Sequence, residues 1–386
     1  MSLHVIVIGA GAIGASIAAR LAERGTQVTL VDRSAPGTGT SSTSFAWINS
    51  NSKEPYDYFA INRAGMEAHQ RLAGSSEWLV TNGHVEIAVA DDHLDRLTAR
   101  VERLRGHDYP VELLTAAQAQ QLIPDVRMPD GIQLIAHFPE EGHAYPALYI
   151  ADALGRARAS GVRELYGNAV VALEERVGGA EVRLADGTTL NADVVVSATG
   201  RWTGDVASLA GADVPMLTYS QPGDETVGYL ATTNPLPVRL SRLVTAPDLN
   251  LRPNGGGRLL LQALDLDATA DPQDPPAIGS PLAGHLVERL RALMPGATDA
   301  RIEHIVVGRR AIPGDGRTVA GRVDEIPWLY AVATHSGITL APFLGEAVAD
   351  EILGTEREEL DAFRPSRFRV GTPYILTGAP RHPGEQ

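Results

Sequence analysis

The chain has no cysteine. That excludes a disulfide, a thiolate nucleophile, a cysteine-ligated metal and a thioether-attached cofactor. Lysine is almost as scarce: Lys53 is the only one among 33 basic residues, the rest being arginine. Basic charge is in deficit overall. Against those 33 stand 47 acidic residues, a net charge of −14, which argues against a nucleic-acid partner held through its phosphates. No run of about 18 apolar residues occurs, so no membrane-spanning helix is expected. The first apolar run begins at His4-Val5, too early for a charged leader and a cleavage site. No secretory signal is read, and a cytoplasmic location is expected. Internal repeats and low-complexity segments are also lacking, and no metal site is expected. What remains is 386 residues, 44% hydrophobic and 21% charged. That composition is globular, and the length suits two domains, or one large domain carrying an inserted second.

Val5–Ile8 is a short, wholly apolar run ended by Gly9, the pattern of a strand buried on both faces. Ala12–Arg24 predicts a helix stopped by Gly25, and Gln27–Val31 a second strand ending in Asp32. The chain therefore opens β-α-β. Residues 37–51 read as a polar loop. Leu94, Leu97, Val101 and Leu104 recur at helical spacing and predict an amphipathic helix over 93–105. Further helices are expected from Thr115 to Pro124, over 147–159 and over 282–294. Strands are expected over 86–90, 132–138, 170–173, 181–184, 194–198, 227–231, 259–264, 302–307 and 329–334. Asp186-Gly187 marks a hairpin turn. The last strand leads through Gly337 into a closing helix that ends at Gly354, and residues 370–386, rich in Gly and Pro, read as a tail.

Gly9-Ala10-Gly11-Ala12-Ile13-Gly14 has the GxGxxG spacing. It follows a buried strand, opens a helix and is followed by a strand ending in an acid, the context of a dinucleotide fingerprint. Gly9 allows the tight turn, Gly11 lets the backbone approach a pyrophosphate, and Gly14 lets helix and strand pack closely. The helix N-terminus supplies N–H groups and the positive end of the dipole. Asp32 suits ribose hydroxyls and would repel a 2′-phosphate. This motif alone does not separate NAD from FAD.

Four later segments do, and with the fingerprint they resemble the superfamily of flavoproteins that holds glycine oxidases, D-amino-acid oxidases and sarcosine oxidases. The resemblance runs from residue 4 to about 366 and is weak over 213–300. Gly39-Thr40-Ser41-Ser42-Thr43-Ser44-Phe45-Ala46-Trp47 is similar to the loop that wraps the pyrophosphate and the flavin edge. It implies cofactor roles for Thr40, Ser42, Thr43, Ser44, Ala46 and Trp47, beside Gly9, Gly11, Ala12, Ile13, Gly14, Asp32 and Arg33. Asn168-Ala169-Val170 places Val170 at the adenine. Ala198-Thr199-Gly200-Arg201-Trp202-Thr203-Gly204 resembles the second nucleotide-side strand end, implicating Thr199, Gly200 and Trp202. Thr334-His335-Ser336-Gly337-Ile338-Thr339 resembles the turn whose backbone N–H groups face the flavin, implicating Gly337, Ile338 and Thr339.

The resemblance implies an α/β protein: a Rossmann-like FAD-binding domain with an inserted antiparallel-sheet (α+β) substrate domain. The expected division is 1–80, 146–212 and 306–366 for FAD, 81–145 and 213–305 for substrate, and a tail at 367–386. Gly308-Arg309-Arg310-Ala311-Ile312-Pro313-Gly314-Asp315-Gly316 is similar to the family's G-x-R-P-x-x-x-D-G segment, with Ala311 in place of proline. It puts Arg310 on the carboxylate-binding arginine, a planar fork that matches a carboxylate. Two positions depart: where glycine oxidases carry a tyrosine and a second arginine, this chain reads Asn250 and His335. A substrate other than glycine follows. Lys53 is a further candidate, as a cation beside the flavin that promotes reaction with oxygen. With no cysteine, and no histidine in 34–51, FAD is expected to be non-covalent. The implied activity is an FAD-dependent oxidase or dehydrogenase of a small amine or amino acid. Hydride passes from the substrate C–H to flavin N5 and leaves an imine, with molecular oxygen a candidate acceptor. Two rivals stand beside it: an NAD-linked dehydrogenase using only the first fingerprint, and a catalytically silent flavin-containing subunit or binding module.

Overall fold

The computed structural model of the protein describes residues 3–74 and 76–369, so the expected tail at 370–386 lies outside the described residues. The first strand, His4–Ile8, sits inside a six-stranded sheet. It pairs in parallel with Gln27–Asp32 on one side and Val194–Ser197 on the other. Arg163–Tyr166 and Ile326–Ala333 continue the parallel set, and Val319–Val323 closes one edge antiparallel. From Val5 to Ile8 the strand is apolar because both of its faces are covered. Val5 and Val7 join the core packed by the helices Ala12–Glu23, Pro146–Ala159 and Gly337–Ile352. Ile6 and Ile8 point the other way, onto Leu173, Val182 and Leu184 of a small three-stranded antiparallel sheet. The third layer is therefore a sheet, where a doubly wound fold has helices.

The second sheet has eight strands, drawn from 84–138 and 227–309. Its pairs are antiparallel except for Leu243–Ala246 beside His84–Ala88. Period-2 alternation splits it into a core face and a cavity face. Ala231, Leu259 and Leu261 pack toward the helix Pro281–Leu293. Leu230 and Leu260 turn to the opposite face, against Phe45 and Trp47 of the Ser/Thr loop.

Several elements differ from the sequence expectation. Tyr56–Ala73 is an 18-residue helix that the pattern did not announce. The strands Arg163–Tyr166, Leu243–Ala246 and Val319–Val323 were likewise not expected. The small sheet holds two hairpin turns, one at 177–178 and the other at Asp186-Gly187. Residues 367–369 are packed rather than tail-like. Arg367 binds Asp315 at 2.8 Å, and Phe368 joins the core. Among the described residues no helix is long and apolar enough to cross a membrane.

Candidate functional site

The fingerprint turn forms where the parallel strands end. Gly9 has φ +104°, a left-handed conformation that glycine tolerates, and a Cβ there would lie 2.5 Å from the Ala198 carbonyl oxygen. A Cβ on Gly14 would overlap the Gly9 carbonyl oxygen, so this glycine seats the helix on the strand and lies off the cavity wall. At the helix start the Ala12 N–H donates to Ser41 Oγ (3.2 Å). Asp32 is fixed by its own neighbours: its carboxylate accepts the Ala10 N–H (2.7 Å) and the Ser34 N–H (2.8 Å). Around these groups opens a cavity of about 460 Å³ at the carboxyl ends of the strands.

Gly9, Gly11, Ala12, Ile13, Asp32 and Arg33 line that cavity from the fingerprint side. Thr40 and Ser44 line it from the loop, Val170, Thr199, Gly200 and Trp202 from the facing strand ends, and Gly337 and Ile338 from the last turn. Ser42 does not reach it: Ser42 Oγ donates back to the Gly39 carbonyl, and Ser41 takes the wall position. Arg201, which the sequence reading passed over, also lines it. The Arg33 and Arg201 guanidinium carbons stand 3.7 and 3.6 Å from the Trp202 ring centroid. Burial, with Arg309 and Arg33 nearby, pushes the Arg201 guanidinium down to about 10. Its Nε is buried with no hydrogen-bond partner. Side-chain-free glycines, a helix N-terminus and a crowded cation with an orphaned donor together suit an anionic pyrophosphate.

Thr40, Ser44, His335 and Ile338 line this cavity and also a second, of about 830 Å³. Thr43, Ala46, Trp47 and Thr339 belong to the second one alone. Ala46 holds φ +54°, rare for a residue with a Cβ, and its carbonyl accepts the Ala144 N–H (3.0 Å). Thr339 Oγ1 donates to the Trp47 carbonyl at 3.1 Å, tying loop to helix. His335 is half-buried at the junction of the two cavities.

Arg310 lines the second cavity from the end of the strand Ile302–Arg309. Its Nη1 donates to the Glu225 carbonyl (3.2 Å) and the Val227 carbonyl, and its Nη2 pairs with Asp267 Oδ2 at 3.3 Å. Asp267 also accepts the Tyr229 N–H (2.7 Å). Gly228 leaves room for the pair, since a Cβ there would overlap both Asp267 and Arg310. Lys53 lines the same cavity and is only 6% exposed. Burial pushes its ammonium down to about 8, against the pull of Glu141. Glu141 is itself wholly buried and accepts from Trp47 Nε1–H and Tyr109 O–H, each at 2.8 Å. Asn250 is not on the wall, although it lies on the same face of the sheet as Gln262. It pairs across the sheet with Gln262, and Gln262 is the one that faces the cavity. Gln262, Tyr58 and three arginines of the helix Asp91–Arg105 are lining residues without a sequence signal; the helix pattern marks its polar side only as polar.

The family model of the DAO family, FAD dependent oxidoreductase, matches residues 4–351. A glycine oxidase of Bacillus licheniformis is 28% identical over 383 residues, covering 94% of this chain and 96% of its own length. The solved glycine oxidase of Geobacillus kaustophilus superposes with a TM-score of 0.83 at 23% identity, over 95% of this chain and 99% of that one. The iminodiacetate oxidase of Chelativorans sp. BNC1 does so with a TM-score of 0.77 at 22% identity, over 94% and 98%. Between them, the nucleotide turn, the two joined cavities and a family match over nearly the whole chain leave one assignment: the chain belongs to the DAO family of FAD-dependent oxidoreductases.

Proposed function

We propose that the protein oxidises an amine that carries a carboxylate, an amino acid or an N-substituted one, at the carbon next to nitrogen. The observation that carries this reading is Arg310 on the wall of a cavity that shares Thr40, Ser44, His335 and Ile338 with the nucleotide cavity. Bound FAD supplies a two-electron acceptor for the substrate hydride, and the imine left behind is hydrolysed by water. The chain's own work is to hold and orient. Arg310 binds the carboxylate, and Asp267 with two backbone carbonyls fixes its fork. The start of the helix Gly337–Ile352 turns N–H groups toward the junction, where negative charge develops. Phe45, Trp47, Leu230 and Ile312 keep part of the wall dry. The six-stranded sheet supports assigning 1–80, 146–212 and most of 306–366 to FAD, and the eight-stranded sheet supports assigning 81–145 and 213–305 to substrate, although its strand Ile302–Arg309 runs across the 305/306 boundary. The names of the relatives, glycine oxidase and iminodiacetate oxidase, support the substrate class. Asn250 at the position where glycine oxidases carry a tyrosine, with Gln262 beside it on the wall, supports a substrate other than glycine.

An anaerobic panel of carboxylated amines, read as bleaching of the visible flavin band, tests the reading. At least one member should bleach the holoenzyme. If none does while the protein stays yellow, the chain is a silent flavoprotein and the proposal fails. Acid precipitation should also release all the colour, as a non-covalent cofactor requires.

Asp32→Ala should weaken FAD retention by about 1–3 kcal/mol, the usual worth of a hydrogen bond to a charged group. Dilution of the holoprotein followed by flavin fluorescence measures it, and unchanged retention contradicts a ribose contact.

Lys53 is proposed as the cation that favours electron transfer to molecular oxygen. Reoxidation should then slow as pH rises through about 8, where the ammonium loses its proton, and that limb should vanish in Lys53→Met. The same change should stabilise the fold. A lysine whose folded pKa is depressed from 10.5 to about 8 costs stability in full below about 8, and that cost fades between the two values. The variant's gain, roughly 1–3 kcal/mol, should therefore be largest below about pH 8 in denaturation curves. Equal pH profiles in the two proteins contradict the role.

A further inference from the structure

The second cavity is far more cationic than one carboxylate requires. Five cations line it, Lys53, Arg96, Arg100, Arg103 and Arg310, against two carboxylates, Glu54 and Glu225. This stands in a chain with a net charge of −14. Resting on the function proposed above, we propose that the substrate carries a second anionic group, distal to the amine, and that Arg96, Arg100 and Arg103 form the subsite that receives it.

The three arginines lie at positions i, i+4 and i+7 of the helix Asp91–Arg105, hence on one face. Leu97, Val101 and Leu104 lie about 100° round and anchor that helix in the core. Ala99 lines the cavity beside the arginines and, being small, leaves the wall to the guanidinium groups. Arg100 is the fixed member. It pairs with the wholly buried Glu86, which also meets His93 Nε2 at 2.9 Å. Arg96 and Arg103 are the exchangeable members. Their carboxylate partners, Asp92 and Glu54, have side chains that are 67% and 59% exposed. Ion pairs of that kind contribute about 0–1 kcal/mol, so a ligand anion displaces them at little cost. Arg103 also gives Nη2 to the Asn51 carbonyl (2.7 Å), which directs it inward, and its Nε is buried with no hydrogen-bond partner. Nothing in the oxidation of a one-carboxylate amine uses these groups. A cavity of about 830 Å³ has room for a longer molecule, with Arg310 holding the carboxylate beside the reacting carbon and the helix face holding the far end.

The ligand chemistry is thus an amine with two acid groups. The far acid is met by guanidinium forks, which accept carboxylate, phosphonate or sulfonate alike. Two measurements on the holoenzyme test this. In the first, the flavin spectrum is titrated with glutarate and with pentanoate, acids of equal chain length that cannot be oxidised. Glutarate should bind at least 10-fold more tightly, and Arg96→Gln/Arg103→Gln should close that gap. In the second, anaerobic bleaching is compared for amino acids of matched length ending in carboxylate, phosphonate or methyl, in both enantiomers and as N-methyl forms. The acid-ended probes should lead by 30-fold or more in kcat/KM, and the double variant should bring them down to the methyl-ended level through KM. Preference for carboxylate over phosphonate, or the reverse, names the source of the far acid. Equal binding of glutarate and pentanoate, or equal bleaching by acid- and methyl-ended probes, overturns the subsite and leaves the oxidation of carboxylated amines standing. No bleaching by any probe overturns both.

Discussion

Arg310→Met is expected to lower kcat/KM for the best carboxylated substrate by about 30-fold or more while FAD stays bound. Leaving a buried carboxylate unpaired costs about 2–5 kcal/mol, and each 1.36 kcal/mol is a factor of ten. The substitution has a second effect that must be separated from the first. Asp267 is buried against Arg310, and removing one partner of a buried ion pair costs about 3–5 kcal/mol of stability. The single variant will therefore melt earlier as well as react slowly. Arg310→Met/Asp267→Asn removes both charges together. It should recover most of the melting temperature without recovering the rate, because the substrate carboxylate still lacks its fork. Stopped-flow reduction of both variants, with a carboxylated amine and with its carboxylate-free analogue, decides the matter. Loss confined to the carboxylated substrate supports direct binding. An intact reductive half-reaction with that substrate would falsify the assignment and make a neutral amine the better reading.

Gly14→Ala is expected to be the most damaging single methyl in the chain for cofactor retention. The added carbon overlaps the Gly9 carbonyl oxygen, and both are backbone positions, so no side chain can swing aside. Either the helix Ala12–Glu23 lifts from the strand or the turn at Gly9 opens, and each moves the N–H groups that suit the pyrophosphate. A loss of about 3 kcal/mol or more of stability is expected, at the large end for one substitution. Flavin content after purification should fall well below stoichiometric. Gly155→Ala is the control: it lies in the helix Pro146–Ala159, where an added Cβ meets nothing within 4 Å. It should stabilise by about 1 kcal/mol through helix propensity. Full flavin occupancy in Gly14→Ala, with a melting point like that of the control, contradicts the packing role.

Much of this was legible in the sequence because its determinants are local. The turn at Gly9, the helix after it and the strand to Asp32 are set by a short apolar run and by glycine spacing. Where the determinants are distant, the pattern fails. The helix Tyr56–Ala73 buries Asn62 and His69 on its core side, so its apolar stripe is broken. Asn62 Nδ2 donates to the Tyr58 carbonyl one turn back, whereas His69 Nε2 meets the Ile338 carbonyl, a partner from a distant helix that the local sequence does not show. Leu249–Pro253 carries a buried Arg252, which reads as a loop residue until its Nε is seen donating to the Phe45 carbonyl at 2.6 Å. The site divides in the same way. The motif singled out Arg310, and Arg310 lines the second cavity. The burial of Lys53 was not readable, and the charge that acts on its ammonium, Glu141, comes from another part of the chain. Ser41 and Ser42 differ by one position, and only the local helical turn decides which one faces the cavity. Asn250 and Gln262 are cross-strand partners from different strands, and nothing local in either segment shows that Gln262 is the one on the cavity wall.

The strand order of the first sheet fixes when the protein can acquire its colour during synthesis. His4–Ile8 leaves the ribosome first and soon finds Gln27–Asp32, but its other neighbour is Val194–Ser197, and the next strand out is Ile326–Ala333. Until those arrive, one edge of a wholly apolar strand stays unpaired, a hazard for association between nascent chains. Ala198, which closes over Gly9, and the turn at His335–Ile338, which joins the two cavities, are made still later than the glycines they complete. Flavin is therefore recruited only after the strand Ile326–Ala333 and the turn that follows it have been made. Chains halted before residue 326 should emerge colourless, and flavin supply should govern the survival of newly completed molecules rather than the early steps of their folding.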